Sequence, residues 1–318
     1  MSTLLLDKNA TSNLLDMADV MKVVEEAFIS WVEGKASMPP KSYLLVEKGD
    51  FRAMPAAIPG AAGVKWVNVH THNAARGLPT VIGVYILSDP ETAYPQAIMD
   101  ATEITAYRTA ATAAIASRYM AKKESHTLGI VGAGKQAHYQ ILAHARVFDI
   151  RQINVADLSE AAIDGLISSL PGFTFKKCSA EMAVSSDIVC TLTPSRSPVV
   201  RREWVKPGTH INAVGADAPG KQELEPAVLS DARVVVDDLR QASSAGEINI
   251  PVSGGLYKAT DIYATLGEII TGKKQGRTDG EMITVFDSTG VAIEDVAVAK
   301  VVFEKAIDIG GYPTIDFV

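Results

Sequence analysis

The pattern of apolar and polar residues along the chain changes near residue 123. From Leu128 onward, short β-branched runs alternate with segments whose apolar residues recur at helical spacing. Such alternation predicts a Rossmann-type α/β fold with a doubly wound parallel sheet. The predicted strands are 128–131, 153–156, 173–176, 188–192, 210–214, 234–236 and 283–286, and the predicted helices include 136–147, 161–169 and 263–271.

Before residue 123 the pattern favours a smaller α+β domain of mainly antiparallel strands. The apolar residues of 16–33 are spaced as on one face of a helix. Short strands follow at 41–47, 51–54, 63–70 and 80–87, and a helix at 104–120 leads into the second domain. A last helix, 291–309, is expected to return to the first domain. The sequence therefore predicts one domain from 1–122 with 291–318, and another from 123–290.

Composition excludes several classes of function. The net charge is −7, and no long block of Lys and Arg appears, so a nucleic-acid-binding face is not expected. The longest apolar run, 81–87, is far shorter than the ~20 residues that span a bilayer. The N-terminus lacks the pattern of a signal peptide, and the two cysteines lack metal or redox spacing, so a cytoplasmic protein is expected. His70 and His72 have no obvious third partner, so no metal site is predicted.

A glycine-rich turn predicts a dinucleotide site. Gly132, Gly134 and Ala137 follow a predicted strand and open a predicted helix. In this setting the first glycine permits the tight turn, and the second lets the backbone approach a pyrophosphate at the helix N-terminus. Asp157 ends the next strand, about where an acid holds the ribose hydroxyls. Because that carboxylate would repel a 2′-phosphate, NAD is favoured over NADP.

Other polar residues have the chemistry to act on an amino acid. Lys65 lies on an apolar strand, where burial would lower its pKa and make it a base. Arg52 and Lys41 could bind a carboxylate. By pattern alone, however, Lys65 and Arg52 are more typical of exposed side chains. Asp217 follows a predicted strand and is either a ligand-facing carboxylate or a loop cap.

Motifs that recur in order along the whole chain narrow these alternatives. They make the chain resemble the ornithine cyclodeaminase/μ-crystallin family, and within it most of all the archaeal-type alanine dehydrogenases. The motifs are Met38-Pro-Pro-Lys41, Arg52-Ala-Met-Pro55, Lys65-Trp-Val-Asn68, Gly77-Leu-Pro-Thr80, Asp100-Ala-Thr102, Arg108-Thr109, Gly208–Asp217, Pro219–Leu224 and Phe286-Asp-Ser-Thr-Gly290.

The resemblance implies a homodimer whose N-terminal domain supplies the dimer interface and the substrate-binding residues. It implies Lys65 as the acid/base, Asp217 as a catalytic carboxylate, Lys41 and Arg52 as pocket residues, and Thr289 near the substrate. Besides the glycines of the turn, it places at cofactor-contacting positions Thr80, Arg108, Lys135, Gln136, Asp157, Thr191, Ala213, Val214, Lys221 and Ser288.

The chemistry implied by the resemblance is hydride transfer from the α-carbon of an amino acid to NAD, which gives an imine. The expected reaction is reversible oxidative deamination of L-alanine, because Arg52 stands about where cyclodeaminases carry a carboxylate suited to ornithine. The alternatives are ornithine cyclodeamination or reduction of a cyclic imine. A non-catalytic nucleotide-binding protein is a further alternative, against which Lys65, Arg52 and Asp217 argue.

Overall fold

The computed structural model describes residues 2–317, in which strands and helices follow one another along most of the chain. The strands are β1 (Thr3–Leu6), β2 (Ser42–Val46), β3 (Gly49–Ile58), β4 (Ala61–Val69), β5 (Val81–Ser88), β6 (Pro95–Asp100), β7 (Thr127–Val131), β8 (Gln152–Ala156), β9 (Phe175–Lys177), β10 (Ile188–Thr191), β11 (His210–Ala213), β12 (Ala232–Val236), β13 (Ala264–Thr265), β14 (Ile283–Asp287) and β15 (Thr314–Ile315).

The α-helices are α1 (Lys8–Leu14), α2 (Met17–Val32), α3 (Ala101–Met120), α4 (Lys135–Ala145), α5 (Glu160–Ser169), α6 (Ala180–Val184), α7 (Pro226–Asp231), α8 (Leu239–Ala245), α9 (Asn249–Ser253), α10 (Leu266–Ile270) and α11 (Ala292–Ile309). Short 3₁₀ helices occupy Thr71–Arg76, Arg202–Trp204 and Ala259–Asp261. Within 2–317, no helix is long and apolar enough to cross a membrane.

The chain divides into two compact units, Met1–Arg108 with Val291–Val318, and Thr109–Gly290. The division falls inside α3, earlier than the predicted boundary at 122/123. The helical pattern of apolar residues runs through α3 without a break, so the sequence carries no signal at the residue where the packing partners of this helix change. For this reason the predicted boundary lies too late in the chain.

The first unit contains one sheet in the order β15-β1-β6-β5-β4-β3-β2. Its strands pair antiparallel except for β1 and β6, which pair parallel. Side chains on this sheet alternate between two faces. The inner face carries Arg52, Lys65 and Tyr85, all buried, and α11 packs against β3, β4 and α2.

The second unit is the predicted parallel sheet, in the order β13-β12-β14-β11-β10-β7-β8-β9. Every pairing in it is parallel. Buried aliphatic residues of the strands form its core, as expected for parallel strands covered on both faces. The carboxyl ends of β7, β10, β11 and β14 therefore lie along one edge, where open α/β sheets place their ligands.

Several predicted elements have different bounds in the structure, and two of the differences have a clear physical reason. The predicted helix at 263–271 is helical only over Leu266–Ile270, because Thr265 and Glu268 form a capping box that starts the helix there. The predicted strand at 51–54 instead continues through Pro55 to Ile58. β2 pairs with β3 only as far as Ala53. The missing N–H of Pro55 therefore removes no backbone hydrogen bond between β3 and β2.

Candidate active site

The predicted nucleotide turn lies between β7 and α4. Gly132 has a φ of +103°, which only glycine adopts without strain, and an added Cβ there would lie 3.1 Å from the Leu192 carbonyl. Gly134 is the N-cap of α4, and an added Cβ would meet nothing within 4 Å. Its open side leaves room for a ligand to approach the first N–H groups of α4. Ala137 is fully buried, as close helix–strand packing requires.

Asp157 directly follows β8 and is held by backbone donors. Its Oδ2 accepts a hydrogen bond from Ala133 N at 2.6 Å, and its Oδ1 accepts one from Ser159 N at 2.8 Å. The carboxylate is thus tied to the glycine turn. A cleft of about 650 Å³ adjoins both. Its lining includes Gly132, Gly134, Asp157, Leu158, Thr193, Pro194 and Ser195.

The first turn of α4 carries Lys135 and Gln136. Gln136 Oε1 is buried and has no hydrogen-bond partner within residues 2–317. A buried acceptor without a partner is costly unless a ligand supplies the donor. This acceptor and the open face at Gly134 both fit a bound dinucleotide. Lys135 Nζ lies 5.9 Å from the centre of the Tyr139 ring.

Four further predicted cofactor residues of this unit, Thr191, Ala213, Val214 and Ser288, lie at the carboxyl ends of β10, β11 and β14. Thr191 and Ala213 are register partners, and Val214 N donates to Thr191 O at 3.1 Å. Ser288 N donates to Ala213 O at 2.9 Å. The structure brings these four residues together at one edge of the sheet.

Three buried carboxylates, which sequence reasoning missed, brace the same edge. Glu223 accepts hydrogen bonds from the Thr191 hydroxyl at 2.7 Å and from Gly215 N at 2.8 Å. Glu247 accepts from Glu223 N at 2.9 Å, and Asp287 accepts from Glu247 N at 2.9 Å. Asp287 therefore fixes the backbone of Glu247, and Glu247 fixes the backbone of Glu223.

Burial controls the ionisation of these carboxylates. It raises the pKa of Asp287 to about 8, and nearby Asp237 adds to the rise. Burial also raises the pKa of Glu223, and raises that of Glu247 well above its ordinary value. Three such groups in one core cannot all ionise at neutral pH without strong mutual repulsion.

The loop after β11 places Asp217 beside Lys221. The Lys221 Nζ lies 2.5 Å from Asp217 Oδ1 and 3.3 Å from the Gly215 carbonyl oxygen. Thr289 follows β14, where Asp237 fixes it by accepting from its N at 2.6 Å and from its hydroxyl at 2.8 Å. Sequence reasoning did not single out Asp237.

In the first unit, Lys65 lies on the inner face of β4 and is fully buried. Its Nζ lies 2.7 Å from Asp295 Oδ1 and 3.3 Å from the Thr105 hydroxyl. Burial and the charge of Arg108 lower the pKa of Lys65 to about 7, although Asp295 opposes this fall. Lys65 can therefore exchange a proton near neutral pH, as a general acid or base must.

Arg108 belongs to the same cluster. Its Nη1 lies 2.6 Å from Glu294 Oε2, and its Nε lies 3.2 Å from Asp295 Oδ1. Glu294 and Asp295 are fully buried in the first turn of α11. Neither was predicted as a site residue, because each looks like an ordinary acid at the start of an amphipathic helix. The predicted role of Arg108 in cofactor contact stays a prediction.

Arg52 is buried on β3, on the same face as Lys65. Asp50 binds it in a bidentate pair, with Nε to Oδ1 and Nη2 to Oδ2 both at 3.0 Å. The guanidinium also lies 5.5 Å from the centre of the Tyr43 ring. These contacts fix the plane of the guanidinium, which suits it to bind a second carboxylate.

The remaining two predicted residues of this unit lie in loops. Lys41 precedes β2 and is partly exposed, and its charge contributes to lowering the pKa of Lys65. Thr80 lies just before β5, and its carbonyl oxygen accepts a hydrogen bond from His70 N at 2.8 Å.

Comparison with known proteins agrees with the resemblance inferred from the motifs. A model of the ornithine cyclodeaminase/mu-crystallin family matches residues 1–310. Alanine dehydrogenase from Archaeoglobus fulgidus is 51% identical over 309 residues, 96% of each chain. A solved archaeal alanine dehydrogenase dimer with bound NAD matches with a TM-score of 0.98, at 50% identity over 100% of both chains. The Thermococcus litoralis Delta(1)-pyrroline-2-carboxylate reductase, in complex with NADH and L-proline, matches with a TM-score of 0.95, at 35% identity over 98% of this chain and 100% of that one.

Proposed function

Because the chain belongs to the ornithine cyclodeaminase/mu-crystallin family, we propose that it is an NAD-dependent amino-acid dehydrogenase. The proposed reaction converts L-alanine, NAD and water reversibly to pyruvate, ammonium, NADH and a proton. One observation carries the proposal: Lys65 is fully buried, hydrogen-bonded to Asp295 and has a pKa of about 7. A purely nucleotide-binding protein has no need of such a lysine.

NAD is the proposed cofactor. The open face of Gly134 and the buried Gln136 Oε1 fit it, and Asp157 would accept hydrogen bonds from the adenosine ribose. The archaeal relative at 50% identity is solved with NAD bound. Lys135, Thr191, Ala213, Val214, Lys221 and Ser288, with Thr80 and Arg108, are the further proposed contacts. When bound, the nicotinamide supplies the hydride acceptor.

Lys65 is proposed to prepare the substrate for hydride loss. The neutral amine of Lys65 takes a proton from the ammonium of alanine, which frees the nitrogen lone pair. That lone pair then forms the C=N bond of the imine as the hydride leaves the α-carbon. Water adds to the imine carbon, and loss of ammonia gives pyruvate. Asp217 is proposed to accept the proton of this water.

Arg52 and Lys41 are proposed to hold the substrate carboxylate, and Thr289 to lie near the substrate. Asp50 already fixes Arg52, so little side-chain freedom would be lost on binding. Arg52 also favours alanine over ornithine, because a buried guanidinium offers hydrogen-bond donors and no acceptor for a second ammonium.

Reduction of a cyclic imine is the second candidate. The Thermococcus litoralis relative, at 35% identity, is a pyrroline carboxylate reductase solved with NADH and L-proline. That reaction needs the same proton transfer near the same atoms, so Lys65 serves either function equally well.

We further propose a homodimer that acts in the cytoplasm. The sheet of the first unit has an outer apolar face, formed by Leu44, Val46, Phe51, Trp66, Val84 and Ile86. Trp66 is 43% exposed and Leu44 is 56% exposed. Contiguous exposed apolar side chains of this kind are typical of subunit interfaces. The archaeal relative is described as a dimer, and two free cysteines suit a reducing compartment.

A panel of substrates tests the proposal. Purified protein is mixed with NAD and each of L-alanine, L-serine, L-ornithine and L-proline, and NADH formation is followed. The reverse direction is tested with pyruvate plus ammonium and with pyrroline-2-carboxylate. We expect the highest kcat/KM for alanine and pyruvate. Faster proline formation from ornithine, or faster reduction of the cyclic imine, would assign the alternative function.

A further inference from the structure

We propose that Asp295 is a positioning residue for this reaction, holding the Lys65 ammonium and the Arg108 guanidinium at one carboxylate oxygen so that Lys65 keeps a fixed place. The inference rests on the proposed role of Lys65 as the acid/base.

The geometry supports this role. Asp295 Oδ1 lies 2.7 Å from Lys65 Nζ and 3.2 Å from Arg108 Nε. A single oxygen of a residue on α11 therefore contacts Lys65, which lies on β4, and Arg108, which lies on α3. Its place in the first turn of α11 stabilises the negative charge, because a helix N-terminus carries partial positive charge.

Asp295 differs from its neighbour Glu294 in what it binds. Glu294 Oε2 binds Arg108 Nη1, whereas Asp295 binds both cations. The second oxygen of Asp295, Oδ2, is buried and accepts no hydrogen bond from any residue in 2–317. The contacts of Asp295 with Lys65 and with Arg108 are thus both made by Oδ1.

Asp295 also sets the range in which Lys65 titrates. Arg108 and Lys41 face Lys65 with like charge and, together with burial, lower its pKa. Asp295 opposes them through its charge and its hydrogen bond. Tyr85, the register partner of Lys65 on β5, has a pKa raised well above its ordinary value by burial, so it stays neutral. Of the groups that face Lys65, Asp295 therefore stabilises its protonated form, whereas Arg108 and Lys41 destabilise it.

The test replaces Asp295 with asparagine, which keeps the shape and one acceptor oxygen but removes the charge. The matched control is Glu294→Gln, which removes a buried charge from the same helical turn at a residue that binds Arg108. For the oxidation of the amino acid, Lys65 must be neutral, so the rate rises with pH through its pKa. We expect Asp295→Asn to move that rise to lower pH by at least about one pH unit, and Glu294→Gln to move it less.

A second measurement does not depend on turnover. In protein containing lysine labelled with ¹³C at Cε, the Lys65 signal is assigned by its loss in Lys65→Arg and is titrated by NMR. We expect its midpoint to fall in Asp295→Asn. If the wild-type chain oxidised no amino acid, this fall would still support the positioning role while the proposed function failed. Midpoints equal in the wild type and Asp295→Asn would overturn the positioning role.

A third variant covers the case in which Asp295→Asn does not fold. Asp295→Glu keeps the charge but moves the oxygens farther along the side chain. We expect a pH profile like that of the wild type with a lowered kcat, because protonation is preserved while the position of Lys65 is disturbed. An unchanged kcat in Asp295→Glu would contradict the proposal.

Discussion

At the scale of single residues, the proton affinity of Lys65 decides what the first unit can do. An exposed lysine is fully protonated at neutral pH and cannot serve as a base. Burial on the inner face of β4 lowers the pKa of Lys65 to about 7, and Asp295 keeps it from falling further. The result is an amine that can both accept and return a proton at neutral pH, as a reversible reaction requires.

Replacing Lys65 with methionine tests this role directly. Methionine fills similar volume without a proton-transferring group, so we expect turnover to fall by ~10²–10⁴-fold. NADH binding, measured by fluorescence titration, should stay near the wild-type value, because the glycine turn belongs to the other unit. Loss of both properties would indicate a folding defect, and retention of kcat would remove Lys65 from the chemistry.

The sequence alone predicted only part of this cluster. Lys65 and Asp295 are separated by 230 residues, and no local pattern connects them. Without the motif resemblance, Lys65 is more typical of an exposed lysine. Asp295 and Glu294 could not have been found by spacing, because their function depends on where α11 packs. Glu223, Glu247 and Asp287 were missed for a similar reason, since each is buried by elements distant in sequence.

At the scale of elements, the turn between β7 and α4 shows the opposite behaviour. Strand, glycines, helix and acid lie within one continuous segment, so its geometry is specified locally and was predicted correctly. α10 is an instructive exception, because a capping box begins the helix later than its apolar spacing suggested. Pro55 is a second exception. A strand tolerates proline only where no neighbouring strand needs its N–H, and the sequence does not show where β2 stops pairing with β3.

The residue that ends β8 should determine the choice between NAD and NADP. Asp157 would meet the 2′-phosphate of NADP with like charge, so the wild type should have a much lower kcat/KM with NADP. In Asp157→Ser, the ratio between the two cofactors should fall by at least about tenfold, because the repulsion is removed. Steady-state kinetics with both cofactors measure this, with alanine saturating. A wild type that uses NADP as well as NAD would contradict the assignment.

The carboxylates at the strand ends should make stability depend on pH. The pKa of Asp287 is about 8 in the folded state and 3.8 ordinarily, so between these values only the unfolded chain releases this proton. Raising the pH through this window therefore favours unfolding, by at most about 1.4 kcal/mol per pH unit from this residue. We expect Asp287→Asn to have a smaller slope in urea unfolding, because Glu223 and Glu247 still contribute, whereas Asp164→Asn, at an exposed position, should keep the full slope. Parallel slopes for the wild type and Asp287→Asn would refute this account.

At the scale of the whole molecule, the outer apolar face of the first unit is the proposed subunit interface. We expect sedimentation velocity to show a dimer of the 33.8 kDa chain. Lysines in place of Leu44 and Ile86 should shift it toward monomer, because charges would be buried without partners. Leu239→Lys, an exposed apolar position in the second unit, is the control and should leave the dimer intact. A wild-type monomer, or a dimer unaffected by the double change, would exclude this interface.

The first unit is assembled from two segments that are separated along the chain, because α11 belongs with Met1–Arg108 rather than with the segment that precedes it. A ribosome makes the strand bearing Lys65 well before the helix bearing Asp295, which lies 230 residues further along the chain. Until that helix is made, the lysine has no carboxylate partner from it, and the inner face of its sheet lacks the helix that covers it. The nucleotide-binding unit is complete before that helix is translated. A nascent chain can thus form a dinucleotide fold first, and acquires its reactive amine only after α11 has been translated.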